Sequence, residues 1–191
     1  DLILKELDLD GSFIQDIIQP GFDTICFYTY KVQNAKTVLI CTSQNAVRIN
    51  ETRRKIVKNE KPLRFMEFLK SKIKGARINC VNQIGKSRII KFSLSHCDSE
   101  YFLYARLWSN ASNVILCDKN NVILDSMFRK QKKNEVTGGI FVIPEQSENS
   151  EKVWPVRDFS MIQKEYDESN SFKKNLSFNE KVDIWYSEHS S

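Results

Sequence analysis

The spacing of hydrophobic residues divides this chain into helical and extended segments. Near the start, Ile3, Leu4 and Leu7 share one face of a short helix within residues 2–9, and Gly11 ends it. Runs rich in Ile, Val, Phe and Tyr follow, separated by Gly, Pro and Asn, and such runs predict β-strands. The four predicted strands are residues 12–19, 24–32, 37–42 and 46–50.

Helical spacing returns at residues 62–74, which predict an amphipathic helix ended by Gly75. Its apolar positions are Leu63, Met66, Phe68, Leu69 and Ile73, and its basic positions are Arg64, Lys70, Lys72 and Lys74. Strand-like runs then resume at residues 76–84, 88–95, 101–107 and 113–118. Residues 114–125 predict a hairpin that turns at Lys119-Asn120-Asn121, and residues 137–143 predict a last strand.

The composition changes after Pro144, where Glu, Ser, Asn and Lys replace most hydrophobic residues. We therefore predict three parts: a domain at residues 1–145, a polar linker at 146–176 and the start of a helix at 177–191. Ser177 suits the N-cap of that helix, with Glu180 three residues on. The predicted fold class is α+β, with a mostly antiparallel sandwich or barrel-like β-core and one basic amphipathic helix.

The overall composition is that of a globular protein, with 41% hydrophobic and 28% charged residues, and it excludes wholesale disorder. No apolar run is long enough for a membrane-spanning helix. The first residues lack the basic and apolar regions of a signal peptide, although a chain that opens with Asp also suits a trimmed N-terminus. The expected location is cytoplasmic.

Positive charge is concentrated in the middle of the chain. Residues 31–91 contain 16 Lys and Arg and three acids, a balance of +13, so the rest of the chain carries −8. Such a block predicts a polyanionic partner, with nucleic acid favoured over a membrane surface. The alternative is a solvated basic face without a ligand. Aromatic residues near these cations belong either to the core or to a base-stacking surface; they are Phe27, Tyr28, Tyr30, Phe65 and Phe92.

The residues that carry catalytic or metal chemistry are few. The chain has five Cys and two His with no C-x-x-C pair, which favours reduced thiols and no metal site. No phosphate-binding glycine loop, dinucleotide fingerprint or nucleophile elbow occurs. His96-Cys97-Asp98 lies between two predicted strands and is interpreted as a polar turn. We predict neither a cofactor nor an enzymatic activity.

Several motifs, in order and spacing, resemble the N-terminal domain of the NFACT family. The clearest are residues 81–90 (VNQIGKSRII), 113–118 (NVILCD) and 122–125 (VILD). Residues 4–20, 43–52 and 64–78 are similar to the family's opening helix, its "S-x-x-x-x-R-I-x-x-T" segment and its helix-to-strand passage. Residues 177–187 resemble the start of its coiled coil. The resemblance covers about residues 1–145 and 176–188.

This resemblance implies a fold similar to the N-terminal domain of formamidopyrimidine-DNA glycosylases. Family members include bacterial proteins described as fibronectin- or fibrinogen-binding. They also include ribosome-quality-control factors, which bind tRNA and the large ribosomal subunit carrying a stalled nascent chain. Glycosylase chemistry needs an N-terminal proline and an adjacent glutamate, which this sequence does not show. The resemblance therefore implies a binding domain without catalysis.

The resemblance also indicates which residues contact RNA. Asp1 matches an aspartate at the start of the family's first helix, and Arg48 and Arg77 match family arginines. The tRNA motif "Ile-Gly-x-Asp-Arg" falls on residues 84–88, with Lys86 at the variable position, Ser87 in place of the aspartate, and Arg88 retained. Charge alone adds the pair Arg53 and Arg54 as phosphate contacts. The predicted nucleic-acid-binding set is Asp1, Arg48, Arg53, Arg54, Arg77, Lys86, Ser87 and Arg88.

Two functions follow as hypotheses. The first is an RNA-binding module of a ribosome-quality-control factor, with tRNA and the large ribosomal subunit as partners. The second is a fibronectin-binding adhesin or protein-interaction domain, which would place the protein at the cell surface. Salt-sensitive binding of tRNA distinguishes the first hypothesis from the second.

Overall fold

Strands dominate the part of the chain that the computed structural model describes, residues 2–143. These residues lie in one compact unit, Asp1–Gln146. The helices are α1 (Leu2–Leu7) and α2 (Arg64–Ile73), with a 3₁₀ turn at Gln131–Lys133. The strands are β1 (Phe13–Gly21), β2 (Thr24–Lys31), β3 (Asn34–Cys41), β4 (Arg48–Glu51), β5 (Arg77–Gln83), β6 (Ile89–His96), β7 (Ser99–Arg106), β8 (Asn113–Asp118) and β9 (Ile123–Ser126).

The strands form two antiparallel meanders that share one sheet in the order β4-β3-β2-β1-β5-β6-β7-β8-β9. We call β1–β4 the first half-sheet and β5–β9 the second half-sheet. Their junction pairs Phe13 of β1 with Arg77 of β5. Backbone hydrogen bonds extend the junction to its neighbours, including Gly11 N to Ile78 O at 2.7 Å and Gly75 N to Ile14 O at 2.7 Å. The predicted mostly antiparallel fold with few helices is confirmed.

One hydrophobic core joins both half-sheets. It contains Ile25 and Ile40 of the first half-sheet together with Phe92 and Leu116 of the second. Such residues point to one face because successive side chains of a strand alternate. A smaller cluster covers the other face of the second half-sheet, where Phe141 stacks on Tyr104 with ring centroids 4.2 Å apart. Around Tyr104, the second half-sheet is therefore covered on both faces.

Helix α2 adds its apolar side to the main core. Phe65, Leu69 and Ile73 are buried at helical spacing. Gly75 follows with a φ of +85°, a conformation that favours glycine because it lacks a Cβ. The predicted helix and its glycine stop are confirmed, with bounds narrower than residues 62–74. No helix within residues 2–143 is long and apolar enough to cross a membrane.

The predicted strand at residues 137–143 is wrong. Gly138 has a φ of +86°, and a Cβ on Gly139 would lie 2.1 Å from the carbonyl oxygen of Asn134. The two glycines therefore turn the backbone rather than extend it. The segment is attached to residues 121–123 by backbone hydrogen bonds, such as Ile123 N to Gly139 O at 2.7 Å, and by an isolated bridge between Val122 and Ile140, but it forms no strand. The predicted linker at 146–176, the predicted helix at 177–191 and Asp1 lie outside the described residues.

Candidate nucleic-acid interface

The turn between β5 and β6, residues 84–88, is a tightly bonded hairpin tip, and we call it the β5–β6 tip. Gly85 has a φ of +52°. The backbone nitrogen of Ser87 donates to the Ile84 carbonyl at 3.0 Å, and its hydroxyl donates to the same oxygen at 2.5 Å. Gln83 Nε2 donates to the Ser87 carbonyl at 2.8 Å. These bonds hold the tip in one shape, so its side chains project from a fixed base.

Lys86 and Arg88 project from this tip into solvent. Neither side chain makes an ion pair or hydrogen bond within residues 2–143. The Arg88 carbonyl accepts from Leu107 N at 2.7 Å, which fixes the backbone that carries the guanidinium. Because the Ser87 hydroxyl donates within the turn, it does not orient Arg88 as a neighbouring carboxylate would. The tip therefore presents two cations whose charge is available to a ligand.

Arg48, Arg53 and Arg54 lie around the edge strand β4. Arg48 donates from Nε to Asn50 Oδ1 at 3.2 Å and from a terminal nitrogen to the Ala46 carbonyl at 3.0 Å. Arg48 and Arg54 line an open groove of about 700 Å³. Arg53 is exposed but does not line it. Further lining residues include Pro20, Leu39, Lys55 and Lys58.

Arg77 lies far from the β5–β6 tip. It begins β5 and pairs with Ser95 of β6, whereas the tip follows the last residue of β5. Because a strand rises about 3.3 Å per residue, the seven residues of β5 separate Arg77 from the tip by roughly 20 Å. The predicted set therefore divides into the tip, the β4 region and the start of β5.

Part of the basic block is neutralised inside the fold. Lys70 Nζ lies 3.0 Å from Asp16 Oδ1, and Lys58 Nζ lies 4.0 Å from Asp16 Oδ2. Arg64 contacts the buried Asp125, which also pairs with Arg129 Nε at 3.1 Å. Lys58, Arg64 and Lys70 of the basic block are therefore paired with acids, although a sum of charges over the sequence includes them as free cations. The charge available to a ligand is smaller than the balance of +13 suggests.

The pKa of Asp16 shows the same pairing. Partial burial raises the pKa of this carboxyl group, but the Lys70 ammonium, the Ile17 backbone and the charge of Lys74 outweigh burial. The net pKa lies below the ordinary value of an aspartate. Asp16 is therefore ionised at neutral pH and offsets the positive charge of α2.

A buried ion pair near the β5–β6 tip is absent from the sequence-based predictions. Arg106 donates to Glu135 Oε1 at 2.7 Å and to the Ala111 carbonyl at 2.6 Å. Asn113 Nδ2 donates to Glu135 Oε2 at 2.8 Å, so both oxygens of the Glu135 carboxylate accept a hydrogen bond. The side chains of Arg106 and Glu135 are only 9% and 6% exposed. Arg106 and Glu135 are 29 residues apart in sequence, so no local pattern reveals them.

The cysteines are free, as predicted. Burial raises the pKa of Cys26 to about 11, with a contribution from Cys41, and raises that of Cys117 to about 12. Such thiols are poor nucleophiles at neutral pH because they stay protonated. Cys97 and Asp98 form the predicted turn between β6 and β7, with φ values of +45° and +59°. Within residues 2–143, no three His, Cys, Asp or Glu side chains group as metal ligands.

Most of the aromatic residues named as base-stacking candidates belong to the core. Phe27, Phe65 and Phe92 are buried. Tyr30, by contrast, is 46% exposed, and its cross-strand partner Phe13 is 44% exposed. Directly opposite residues of antiparallel strands point to the same face, so the two rings form a small apolar patch on the first half-sheet.

Comparison with protein families identifies the domain. The family model "NFACT N-terminal and middle domains" matches residues 3–182. The chain belongs to the NFACT family. The predicted membership is thereby confirmed, and the β5–β6 tip lies within the matched residues. No curated protein gives a significant match to this chain.

Solved structures of NFACT-like domains share the fold. The N-terminal part of the fibronectin/fibrinogen-binding protein from Streptococcus suis aligns with 23% identity and a TM-score of 0.70, covering 76% of this chain and 59% of that one. The N-terminal domain of the fibronectin-binding protein PavA from Streptococcus pneumoniae aligns with 21% identity and a TM-score of 0.71, covering 85% of this chain and 65% of that one. The fibrinogen-binding protein from Staphylococcus aureus aligns with 21% identity and a TM-score of 0.66, covering 76% of this chain and 54% of that one. The present chain spans less than two thirds of each.

Proposed function

We propose that this NFACT domain is an RNA-binding module of a ribosome-quality-control factor. Its partners are tRNA and the large ribosomal subunit with a stalled nascent chain. The observation that carries the proposal is the β5–β6 tip, which holds Lys86 and Arg88 without an ion-pair or hydrogen-bond partner among residues 2–143, at the position of the family's tRNA motif. The proposal assigns binding and no reaction, and it places the protein in the cytoplasm.

The geometry of the tip suits RNA in two ways. A guanidinium without a local acid can form a bidentate contact with a phosphate or with a guanine edge. A hydrogen-bonded turn loses little conformational entropy when a ligand binds. Arg53 and Arg54 on the β4 loop add phosphate contacts, which raise affinity without reading the sequence.

A titration of labelled tRNA tests the proposal. We expect the unaltered chain to bind tRNA with an affinity that falls as salt increases, because cation–phosphate contacts release counterions. Arg88→Ala is expected to weaken binding by about 1–3 kcal/mol if the guanidinium reads a base. Arg53→Ala with Arg54→Ala is expected to weaken it for all RNA sequences and to flatten the salt dependence. Unchanged affinity in both variants would contradict the assignment.

A fibronectin-binding role is the second candidate. Two of the solved structures above are named as fibronectin-binding proteins, and the Phe13–Tyr30 patch offers exposed aromatic surface of the kind enriched at protein interfaces. This role predicts salt-insensitive binding of immobilised fibronectin that is lost in a Phe13→Ser, Tyr30→Ser variant. Fibronectin binding with no affinity for tRNA would favour this role, and a location at the cell surface, over the first.

A glycosylase-like origin of the fold would accompany either role. We propose that the similarity to formamidopyrimidine-DNA glycosylases, which the family resemblance implies, extends to the arrangement of the β-core alone. We expect no release of a base from DNA or RNA, because the proposed role is binding alone. An assay for abasic sites in treated oligonucleotides checks this expectation, and base release above a buffer control would contradict it.

A further inference from the structure

The loop that follows β9 carries a second group of cations beside the β5–β6 tip. We call residues 130–135 the lysine loop; its exposed members include Lys132 and Lys133. The loop lies outside the basic block at residues 31–91, in a region whose overall charge is negative. The distribution of charge along the sequence therefore does not indicate a binding role for this loop.

The lysine loop is closed at its base. The backbone nitrogens of Lys130 and Glu135 donate to each other's carbonyls at 3.2 and 3.1 Å. Within it, the nitrogens of Lys133 and Asn134 donate to the carbonyls of Lys130 and Gln131 at 3.0 and 2.9 Å. Asn134 has a φ of +54°, which reverses the chain. Lys132 and Lys133 thus project from a closed turn.

The buried ion pair attaches this loop to the rest of the domain. Glu135, the last loop residue, holds Arg106 at the end of β7 and Asn113 at the start of β8. Lys130 Nζ donates to the Ser112 carbonyl at 3.3 Å. Since Leu107 binds the Arg88 carbonyl, the lysine loop and the β5–β6 tip lie at the same end of the second half-sheet.

Charge at this end is strongly one-sided. The three connections 84–88, 107–112 and 127–135 contain six Lys and Arg and one acid, Glu135. That acid is buried and paired with Arg106, and Arg129 is paired with Asp125 of β9. Lys86, Arg88, Lys132 and Lys133 make no ion pair within residues 2–143 and keep their charge on the surface. The opposite end carries Asp98 and Asp118 together with Lys119 and Arg77, so acids and cations balance there. Unbalanced positive charge therefore lies at the end that holds the β5–β6 tip and the lysine loop.

Lys130 shows that the cations affect one another. Partial burial lowers the pKa of its ammonium group, Glu135 raises it, and Arg106 and Lys133 lower it further. The net pKa lies below the ordinary value of a lysine. A bound phosphate would reduce this mutual repulsion.

We propose that the lysine loop is a second phosphate-binding element, which acts with the β5–β6 tip on one RNA backbone. The inference rests on the proposed RNA-binding function and extends it to Lys132 and Lys133. Strand β9, which precedes the loop, lies three positions from β6 in the sheet. At about 4.8 Å for each position, the two elements are separated by roughly 14 Å, a distance that one short stretch of RNA can span.

The test measures tRNA affinity of the full chain at several salt concentrations. We expect Lys132→Ala with Lys133→Ala to reduce the slope of log affinity against log salt by about 1 for each lysine. At 0.1 M salt, binding should weaken about tenfold for each lost contact. Lys119→Glu is the matched control, because Lys119 is exposed in the β8–β9 turn at the opposite end. The change from lysine to glutamate lowers the net charge by two units, as the loss of two lysines does. It should change the affinity for tRNA less than twofold.

Each outcome has a defined meaning when the tip variant Lys86→Ala with Arg88→Ala is measured in parallel. Weaker binding in both the loop and tip variants, with Lys119→Glu unchanged, supports the inference. Weaker binding in the tip variant alone overturns it and leaves the proposed function intact. An equal loss in Lys119→Glu and the loop variant also overturns it, because net charge then explains the effect. Absence of tRNA binding by the unaltered chain overturns both proposals. Thermal unfolding of every variant verifies that the fold is retained.

Discussion

Helix α2 and the β5–β6 tip are both basic, but their cations have different surroundings. On the helix, Lys70 lies against Asp16 and Arg64 against Asp125. On the tip, Lys86 and Arg88 have no acidic neighbour within the described residues. Two of the three cations of the helix are therefore used in tertiary contacts, and only Lys72 has no ion pair among the described residues, whereas both cations of the tip are available to a ligand. A basic segment predicts a polyanion partner only where its cations remain unpaired.

The largest effect is expected for an acid that pairs inside the fold. Glu135→Ala leaves the buried Arg106 guanidinium without its carboxylate partner. Breaking such a pair costs about 3–5 kcal/mol of unfolding free energy. Urea unfolding followed by circular dichroism measures this change.

The exposed Glu100 of β7 provides the control for that measurement. Glu100→Ala should change stability by less than about 0.5 kcal/mol. Glu135→Gln keeps the shape of the side chain and should cost less than Glu135→Ala. Equal stability of the Glu135→Ala variant and the unaltered chain would show that the ion pair contributes nothing to the fold.

A direct test of the comparison sets Lys70→Ala against Arg88→Ala. Because Lys70 already contacts Asp16, its removal should change tRNA affinity by less than twofold. Arg88→Ala should weaken binding by about 1–3 kcal/mol, which is roughly 5- to 150-fold. Filter-binding titrations at one salt concentration suffice. A larger loss from Lys70→Ala than from Arg88→Ala would reverse the assignment of the two regions.

A smaller effect is expected at Ser87, whose hydroxyl donates to the Ile84 carbonyl. Ser87→Ala removes this bond and should destabilise the tip by about 0.5–1.5 kcal/mol. The RNA affinity should fall less than in Arg88→Ala, because the cations remain. Amide hydrogen exchange at residues 84–88 reports the loosening directly. Ser87→Thr, which retains the hydroxyl, is the control; exchange that is unchanged in Ser87→Ala would show that the hydroxyl does not hold the turn.

The smallest effect concerns the pH dependence of the Asp16 pair. Since the pKa of Asp16 is lowered in the folded state, its contribution is present above the unfolded value of about 3.9 and is lost as pH falls through the folded value. At pH 7, Asp16→Asn should destabilise the domain by about 0.2–1 kcal/mol. The difference should shrink below pH 4, as measured by urea unfolding at both pH values. A difference that grows on acidification would contradict the assigned direction.

The sequence predicted strands well because local signals define them. Gly75 marks the end of α2, and Lys119-Asn120-Asn121 marks the β8–β9 turn, where Asp118 Oδ1 accepts from the backbone nitrogens of Asn120 and Val122. The failure at residues 137–143 has an equally local cause. Gly138 has a positive φ and Gly139 packs against the Asn134 backbone, so the chain turns here and no extended segment remains.

The candidate site was only partly predictable. A motif in consecutive residues located Lys86, Ser87 and Arg88, whereas the position of Arg77 at the far end of β5 depends on strand length and pairing. The lysine loop was missed because its acid, Glu135, counts as a surface charge in the sequence and is buried in the fold. A sum of charges over the sequence gives every charged residue the same weight, whereas burial and pairing in the fold remove some of these charges from the surface.

The junction between β1 and β5 has a consequence for the kinetics of folding. Every other pair of neighbouring strands is joined by a short connection, so those hairpins can form rapidly and locally. Phe13 and Arg77 are the exception, because the rest of the first half-sheet and the whole of α2 lie between them in the chain. Contacts between residues distant in sequence are the slow ones to form. We therefore expect the two meanders to form fast, and the pairing of β1 with β5 to limit the rate of refolding.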